Sequence, residues 1–262
     1  MTNGNANPSP PVELAALSDV GRRRGDNQDA YALLAELGVA LVADGMGGHA
    51  RGDLASALAI SAAVRELLDS APGPGHQPAP ASMRLTAAVA SANRTILSSA
   101  SQMPGTEGMG TTLLAVLFEA GRLHVAHVGD SRLYRLRDTT LERLTTDQTV
   151  GELLAERRGQ GGSSPFANVL TQALGCETDV APEQYELGCR SGDLYLLCSD
   201  GLHGMLDDEG IRLTLLNFDA NLGQAARELV RLANERGGLD NITVVLARPI
   251  TPTDADHGDR AG

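Results

Sequence analysis

Two periods of hydrophobic patterning alternate along the chain. Short runs that are apolar throughout, or alternate with polar positions, predict β-strands over 13–18, 30–35, 38–43, 112–118, 122–128, 132–136, 184–187, 193–198 and 242–247. Longer stretches with apolar residues every three or four positions predict helices over 53–69, 82–100, 207–216 and 221–235. Asp53 is placed as N-cap of the first helix, because a short carboxylate can accept from a free helix amide. Arg236-Gly237-Gly238 is placed as the stop of the last, since glycine enters the left-handed region without a Cβ penalty.

The order of these elements gives the fold class. A Glu119-Ala120-Gly121 turn between 112–118 and 122–128 favours an antiparallel hairpin. Strands come in clusters and helices in separate pairs, so the chain reads as α+β and not as a doubly wound parallel sheet. The APGPGHQPAPA stretch at 71–81 separates two Ala-rich helical segments and reads as an inter-helix loop. Residues 1–11 and 251–262 are polar and read as disordered tails, which leaves 12–250 as one domain.

Composition narrows the function classes. The 262 residues are 42% hydrophobic but only 3% aromatic, so the core must be built mainly from Ala, Leu and Val. Net charge is −12 and every basic side chain is Arg. That field repels nucleic acid and anionic membrane, so neither is an expected partner. It would also repel a phosphorylated ligand unless bound cations invert the local potential. Cys176, Cys189 and Cys198 form no C-x-x-C pair and read as buried or half-buried free thiols of a reducing compartment. No apolar run approaches the ~18 residues of a membrane span and no signal-peptide core opens the chain, so the expected location is the cytoplasm.

The candidate chemistry lies in four aspartates at the ends of apolar strands. VALVAD leads to Asp44-Gly45, LYLLCSD leads to Asp200-Gly201, LHVAHVGDSR carries Asp130, and Asp240 stands just before NITVVLA. Any one Asp-Gly after a strand reads as a turn. Four carboxylates that converge could not all stay ionised without cations between them. With no His/Cys ligand spacing beside them, oxygen-only coordination suits Mg²⁺ or Mn²⁺ better than zinc. Gly45 would let a backbone carbonyl approach such an ion closely. The GRRRGDNQD segment offers an Arg fork for phosphate, although three adjacent arginines also read as a solvated turn. Gly45-Met46-Gly47-Gly48 lacks the Gly-Lys-Ser/Thr of a nucleotide loop, and Gly108-Met109-Gly110 leads into a strand, so neither is a nucleotide fingerprint.

Eight segments in one order resemble the metal-dependent protein phosphatases, the type 2C Ser/Thr phosphatases, in their bacterial form. They are SDVGRRRGDNQDA, VADGMGGHARGDLAS, GMGTT, VAHVGDSRLYRL, LTTDQT, NVLTQALG, LLCSDGL and GGLDNITVVLA, and they run from about Leu14 to Arg248. The resemblance implies a four-layer αββα sandwich, two antiparallel sheets flanked by helix pairs, with a metal site in a cleft at one end. It implies two core Mn²⁺ or Mg²⁺ ions bridged by Asp44, with the Gly45 carbonyl as a further ligand. Asp200 and Asp240 would bind the second ion and Asp29 would act nearby through water. Asp130, with Asp200, matches the ligands of a weaker third ion. Arg24 matches the phosphate-binding Arg, and His49 the proposed general acid. The implied reaction is hydrolysis of phosphoserine and phosphothreonine by a water activated between two metals, in a monomer acting on phosphorylated proteins and opposing a cognate Ser/Thr kinase. The chain departs from many bacterial members in the flap: Gln148 stands for a His, Gln172 for an Arg, and Ser164-Pro165-Phe166-Ala167 for an Arg-bearing stretch. Two alternatives stay open. A catalytically silent phosphoprotein-binding member would be marked by lost ligands, and a phosphoesterase of small molecules would be separated by a survey of phosphopeptides against phosphometabolites.

Overall fold

The computed structural model describes residues 12–46, 51–73, 78–158 and 165–250. The two tail expectations therefore lie outside the described residues, and so does the middle of the 71–81 loop. Strands are β1 (Val12–Asp19), β2 (Asp29–Leu34), β3 (Val39–Met46), β4 (Gly110–Thr111), β5 (Leu113–Glu119), β6 (Arg122–Val128), β7 (Arg132–Arg137), β8 (Thr140–Arg143), β9 (Glu183–Gly188), β10 (Leu194–Cys198) and β11 (Ile242–Pro249). Helices are α1 (Gly52–Asp69), α2 (Ala81–Gln102), α3 (Val150–Arg158), α4 (Asp200–His203), α5 (Asp208–Asn217) and α6 (Leu222–Glu235). No helix among the described residues is long and apolar enough to cross a membrane.

Both sheets are antiparallel along their whole paired length. One runs β1-β11-β10-β7-β8 and the other β2-β3-β5-β6-β9, with β4 on β3. Alternation along the central strands explains the layering. In β3, Ala40 and Val42 face the gap between the sheets, whereas Val39, Leu41 and Ala43 pack with α1 and α2. In β10, Tyr195 and Leu197 enter the same gap, while Leu194, Leu196 and Cys198 pack with α5 and α6. These strands are apolar throughout because both of their faces are covered. Phe118 and Tyr195 meet edge-on across the gap at 5.4 Å between centroids, in a core otherwise built mainly from aliphatic side chains. The result is the expected αββα sandwich.

Several local expectations change. Asp53 does not cap α1: the cap residue is Arg51, at φ 42°, and Asp53 sits in the first turn, accepting from Arg51 Nε at 3.0 Å. The helix starts earlier because Gly52 lies against Gly45, where a Cβ would come within 2.8 Å of the Gly45 carbonyl. The stop of α6 holds, with Gly237 at φ 130° and Gly238 at φ 51°. Strand β8 and helix α3 were not expected: β8 is a polar edge strand, and α3 has no apolar stripe to betray it. Of the thiols, Cys198 is buried and Cys189 half-buried, but Cys176 is exposed.

Candidate metal and phosphate site

The carboxylates come from both sheets and meet at one end of the gap. Asp44 lies inside β3, not at its end as expected, because the strand continues to Met46 by pairing with β4. By the alternation of β3 its side chain shares the inter-sheet side with Ala40 and Val42. Asp29 opens β2 directly opposite Asp44 in register. Asp130 follows β6, Asp200 opens α4 just beyond β10, and Asp240 precedes β11. Arg24 projects from the β1–β2 loop, and its Nη2 donates to Asp240 Oδ2 at 2.6 Å. Arg24, Asp44, Gly45, Asp130, Asp200 and Asp240 line one cleft of about 360 Å³. His49 lies outside the described residues.

Two glycines make this convergence possible. A Cβ on Gly45 would stand 2.1 Å from the Gly52 carbonyl oxygen and 2.5 Å from that of Gln28. A Cβ on Gly201 would stand 1.9 Å from the Asn241 carbonyl oxygen. Side chains beside the named aspartates complete the frame. Asn241, buried, accepts from the Gln28 amide at 2.8 Å and donates to the carbonyls of Val20 and Asp26 at 3.0 and 2.9 Å, so it fixes the loop that carries Arg24. Ser199 donates to Asp29 Oδ2 at 2.7 Å and accepts from the Thr243 amide at 2.9 Å. Asn241 and Ser199 stand inside the motifs with no role assigned from the sequence; the signal that marks them is a polar residue at an apolar strand end, where a buried side chain must find partners.

The electrostatics are those of a crowded acidic site. Asp44 is held well above the usual carboxylate range, first by burial and then by the charges of Asp29, Asp200, Asp130 and Asp240. Burial pushes Asp29 up to about 6, against the hydrogen bonds it accepts, and Asp130 up to about 7. Asp200 is raised by burial and by Asp240, offset in part by a hydrogen bond with Asp44 and by Arg24. Arg24 is raised in turn by its bond to Asp240. Asp29 Oδ1 and Asp200 Oδ1 are buried with no hydrogen-bond partner. Among the described residues, no three Asp, Glu, His or Cys side chains close around one ion-sized point. Buried, unpartnered carboxylate oxygens, with no His or Cys among the described residues that line the cleft, are the donor set of a hard cation, so the residues fit Mg²⁺ or Mn²⁺.

The protein phosphatase 2C family model matches residues 22–238. The chain belongs to that family. Among curated relatives, it is 40% identical over 251 residues to the serine/threonine protein phosphatase PstP of Mycobacterium tuberculosis, covering 94% of this chain and 46% of the relative. It thus spans about half the length of that relative. It is 33% identical over 244 residues to the protein phosphatase PhpP of Streptococcus pneumoniae, covering 90% of this chain and 96% of the relative. The solved catalytic domain of PstP in complex with two manganese ions superposes with a TM-score of 0.80 at 39% identity, covering 92% of this chain and 99% of that one.

Proposed function

We propose that this chain is a metal-dependent Ser/Thr protein phosphatase that hydrolyses phosphoserine and phosphothreonine monoesters. The observation that carries the reading is the convergence of Asp44, Asp130, Asp200 and Asp240 on a cleft that also holds Arg24, with Asp29 paired opposite Asp44. Asp44, the Gly45 carbonyl, Asp200 and Asp240 would hold two Mn²⁺ or Mg²⁺ ions, with Asp29 acting through water, and Asp130 with Asp200 a weaker third. When bound, the ions supply Lewis acidity that makes a water acidic near neutral pH and offset the charge of the phosphoryl group. The protein's own part is positional. Arg24 has five N–H donors, of which Asp240 takes one from Nη2, and the others can engage two phosphate oxygens as negative charge builds on them. The frame from Asn241 keeps that guanidinium at the cleft, so the phosphorus is presented in line with the attacking water. The leaving Ser or Thr oxygen is strongly basic and needs a proton, the role proposed for His49. The substrates are phosphorylated proteins, the partner a Ser/Thr kinase with shared substrates, the location cytoplasmic, and the working unit a monomer.

A panel of phosphopeptides and small phosphometabolites tests this reading. Phosphothreonine and phosphoserine peptides are expected to be the better substrates by kcat/KM. On the same peptides Arg24→Ala should raise KM far more than Arg22→Ala or Arg23→Ala, costing about 1.5–3 kcal/mol, roughly ten- to a hundredfold in kcat/KM. Preference for metabolites, or equal small effects from all three arginines, would sink it.

A further inference from the structure

Gln148 makes contacts with two segments that line the cleft. It lies between β8 and α3, and it holds the segment leading to Asp130 through three hydrogen bonds, two to Gly129 and one to His127. Its main-chain N–H donates to the Gly129 carbonyl at 2.9 Å, its side-chain Oε1 accepts from the Gly129 N–H at 2.8 Å, and Nε2 reaches the His127 carbonyl at 3.4 Å. Its own carbonyl accepts from the Thr171 N–H at 2.8 Å. Thr171 follows Asn168, Val169 and Leu170, which line the same cleft as the aspartates.

The segment around Asp130 is held on its other side as well. Ser131 Oγ is 2.8 Å from Thr112 Oγ1, which accepts from the Asp44 amide at 2.9 Å. Gly129, at φ 104°, lies so close to Thr112 that a Cβ would stand 2.6 Å from its methyl carbon. Asp130 is therefore held from one side through Thr112, which also meets Asp44, and from the other through the flap, while His203 Nε2 lies 3.2 Å from its carbonyl oxygen. The flap grip has little packing behind it: Gln148 and Thr171 border a second cavity of about 360 Å³. Where packed atoms do not fix a segment, its hydrogen bonds decide its position.

We propose that Gln148 is a positioning residue that couples the Val169–Leu170 wall to Asp130, so that affinity for the weakest cation and the seating of the substrate are set together. The proposal rests on the phosphatase reading above for the cation and goes beyond it in assigning the coupling. A neutral His at this position also carries one acceptor and one donor nitrogen, so Gln148→His should preserve the grip, whereas Gln148→Met removes both polar atoms at similar size.

The test uses the whole chain in three forms: wild type, Gln148→Met and Gln148→His. Mn²⁺ binding is followed by titration calorimetry, amide exchange at Gly129 by mass spectrometry or NMR, and KM on a phosphothreonine peptide. Gln148→Met is expected to weaken the weakest Mn²⁺ site about tenfold while leaving the two tighter ones in place, to speed Gly129 exchange, and to raise KM more than it lowers kcat; a tenfold change corresponds to about 1.4 kcal/mol. Gln148→His should restore all three. The proposal is overturned if Gln148→Met leaves the weak site and Gly129 exchange unchanged, if it weakens all sites together, or if Gln148→His behaves as Gln148→Met. A wild type that binds two Mn²⁺ and no third overturns it while leaving the phosphatase reading intact. A wild type that binds Mn²⁺ but cleaves no phosphopeptide overturns that reading, and Gly129 exchange still judges the grip.

Discussion

Asp44→Asn is expected to abolish turnover and weaken metal binding, and at the same time to make the metal-free protein more stable. The two effects share one cause. Asp44 is pushed far above the usual carboxylate range by burial and by four neighbouring carboxylates. A carboxyl whose folded pKa is raised favours the folded state while it holds its proton. That stability is complete below the ordinary value of 3.8 and is lost as pH rises through the folded values, about 6 for Asp29 and about 7 for Asp130. Neutralising position 44 removes one of these charges and relieves its neighbours. Thermal melts in EDTA above about pH 7 should therefore show a higher midpoint for Asp44→Asn than for wild type, by about 2–4 °C for each kcal/mol relieved. The gap should narrow as pH falls towards 4, where the wild-type cluster is protonated as well. With Mn²⁺ added the order should reverse, because only the wild type recovers the binding energy of a full ligand set. A large loss of metal-free stability in Asp44→Asn would instead make Asp44 a structural residue of β3.

His49→Ala should slow a phosphothreonine peptide by about 10²–10⁴-fold, the usual worth of a general acid, and slow p-nitrophenyl phosphate much less. The difference comes from the leaving group. A nitrophenolate departs readily without a proton, whereas a threonine alkoxide does not. Single-turnover kinetics on both substrates ensure that the chemical step is what is compared. Equal losses on the two would move His49 to positioning. No loss on either would leave it a surface residue of the loop before α1.

The sandwich was legible because its central strands are buried on both faces. Val39–Ala43, Leu113–Phe118 and Leu194–Cys198 are apolar runs too short for helices, and each ends beside a motif rich in Gly or Asp. Strand β8 and helix α3 were not legible because they bury little, and periodicity reports only what is buried. Asp44 was found at the right place for an incomplete reason: it reads as a turn after a strand, yet β4 carries β3 past it, a pairing that no local pattern announces. The N-cap of α1 was misplaced for a related cause, since the contact between Gly45 and Gly52 is tertiary. The aspartates were visible one by one, but that Asp29 stands opposite Asp44 follows from strand register, and that Arg24 reaches Asp240 from a loop on the far side of the sequence follows from the fold. Asn241, Ser199 and Gln148 act through backbone groups of distant segments, so their part depends on partners the sequence does not name.

The central claim is that these carboxylates work only with hard cations between them. The most direct measurement is hydrolysis of a phosphothreonine peptide by protein stripped with EDTA, then resupplied with Mn²⁺, Mg²⁺ or Zn²⁺ in turn. The account predicts no turnover in the stripped protein and recovery with Mn²⁺ or Mg²⁺. Full activity without metal, or recovery with Zn²⁺ alone, would contradict it.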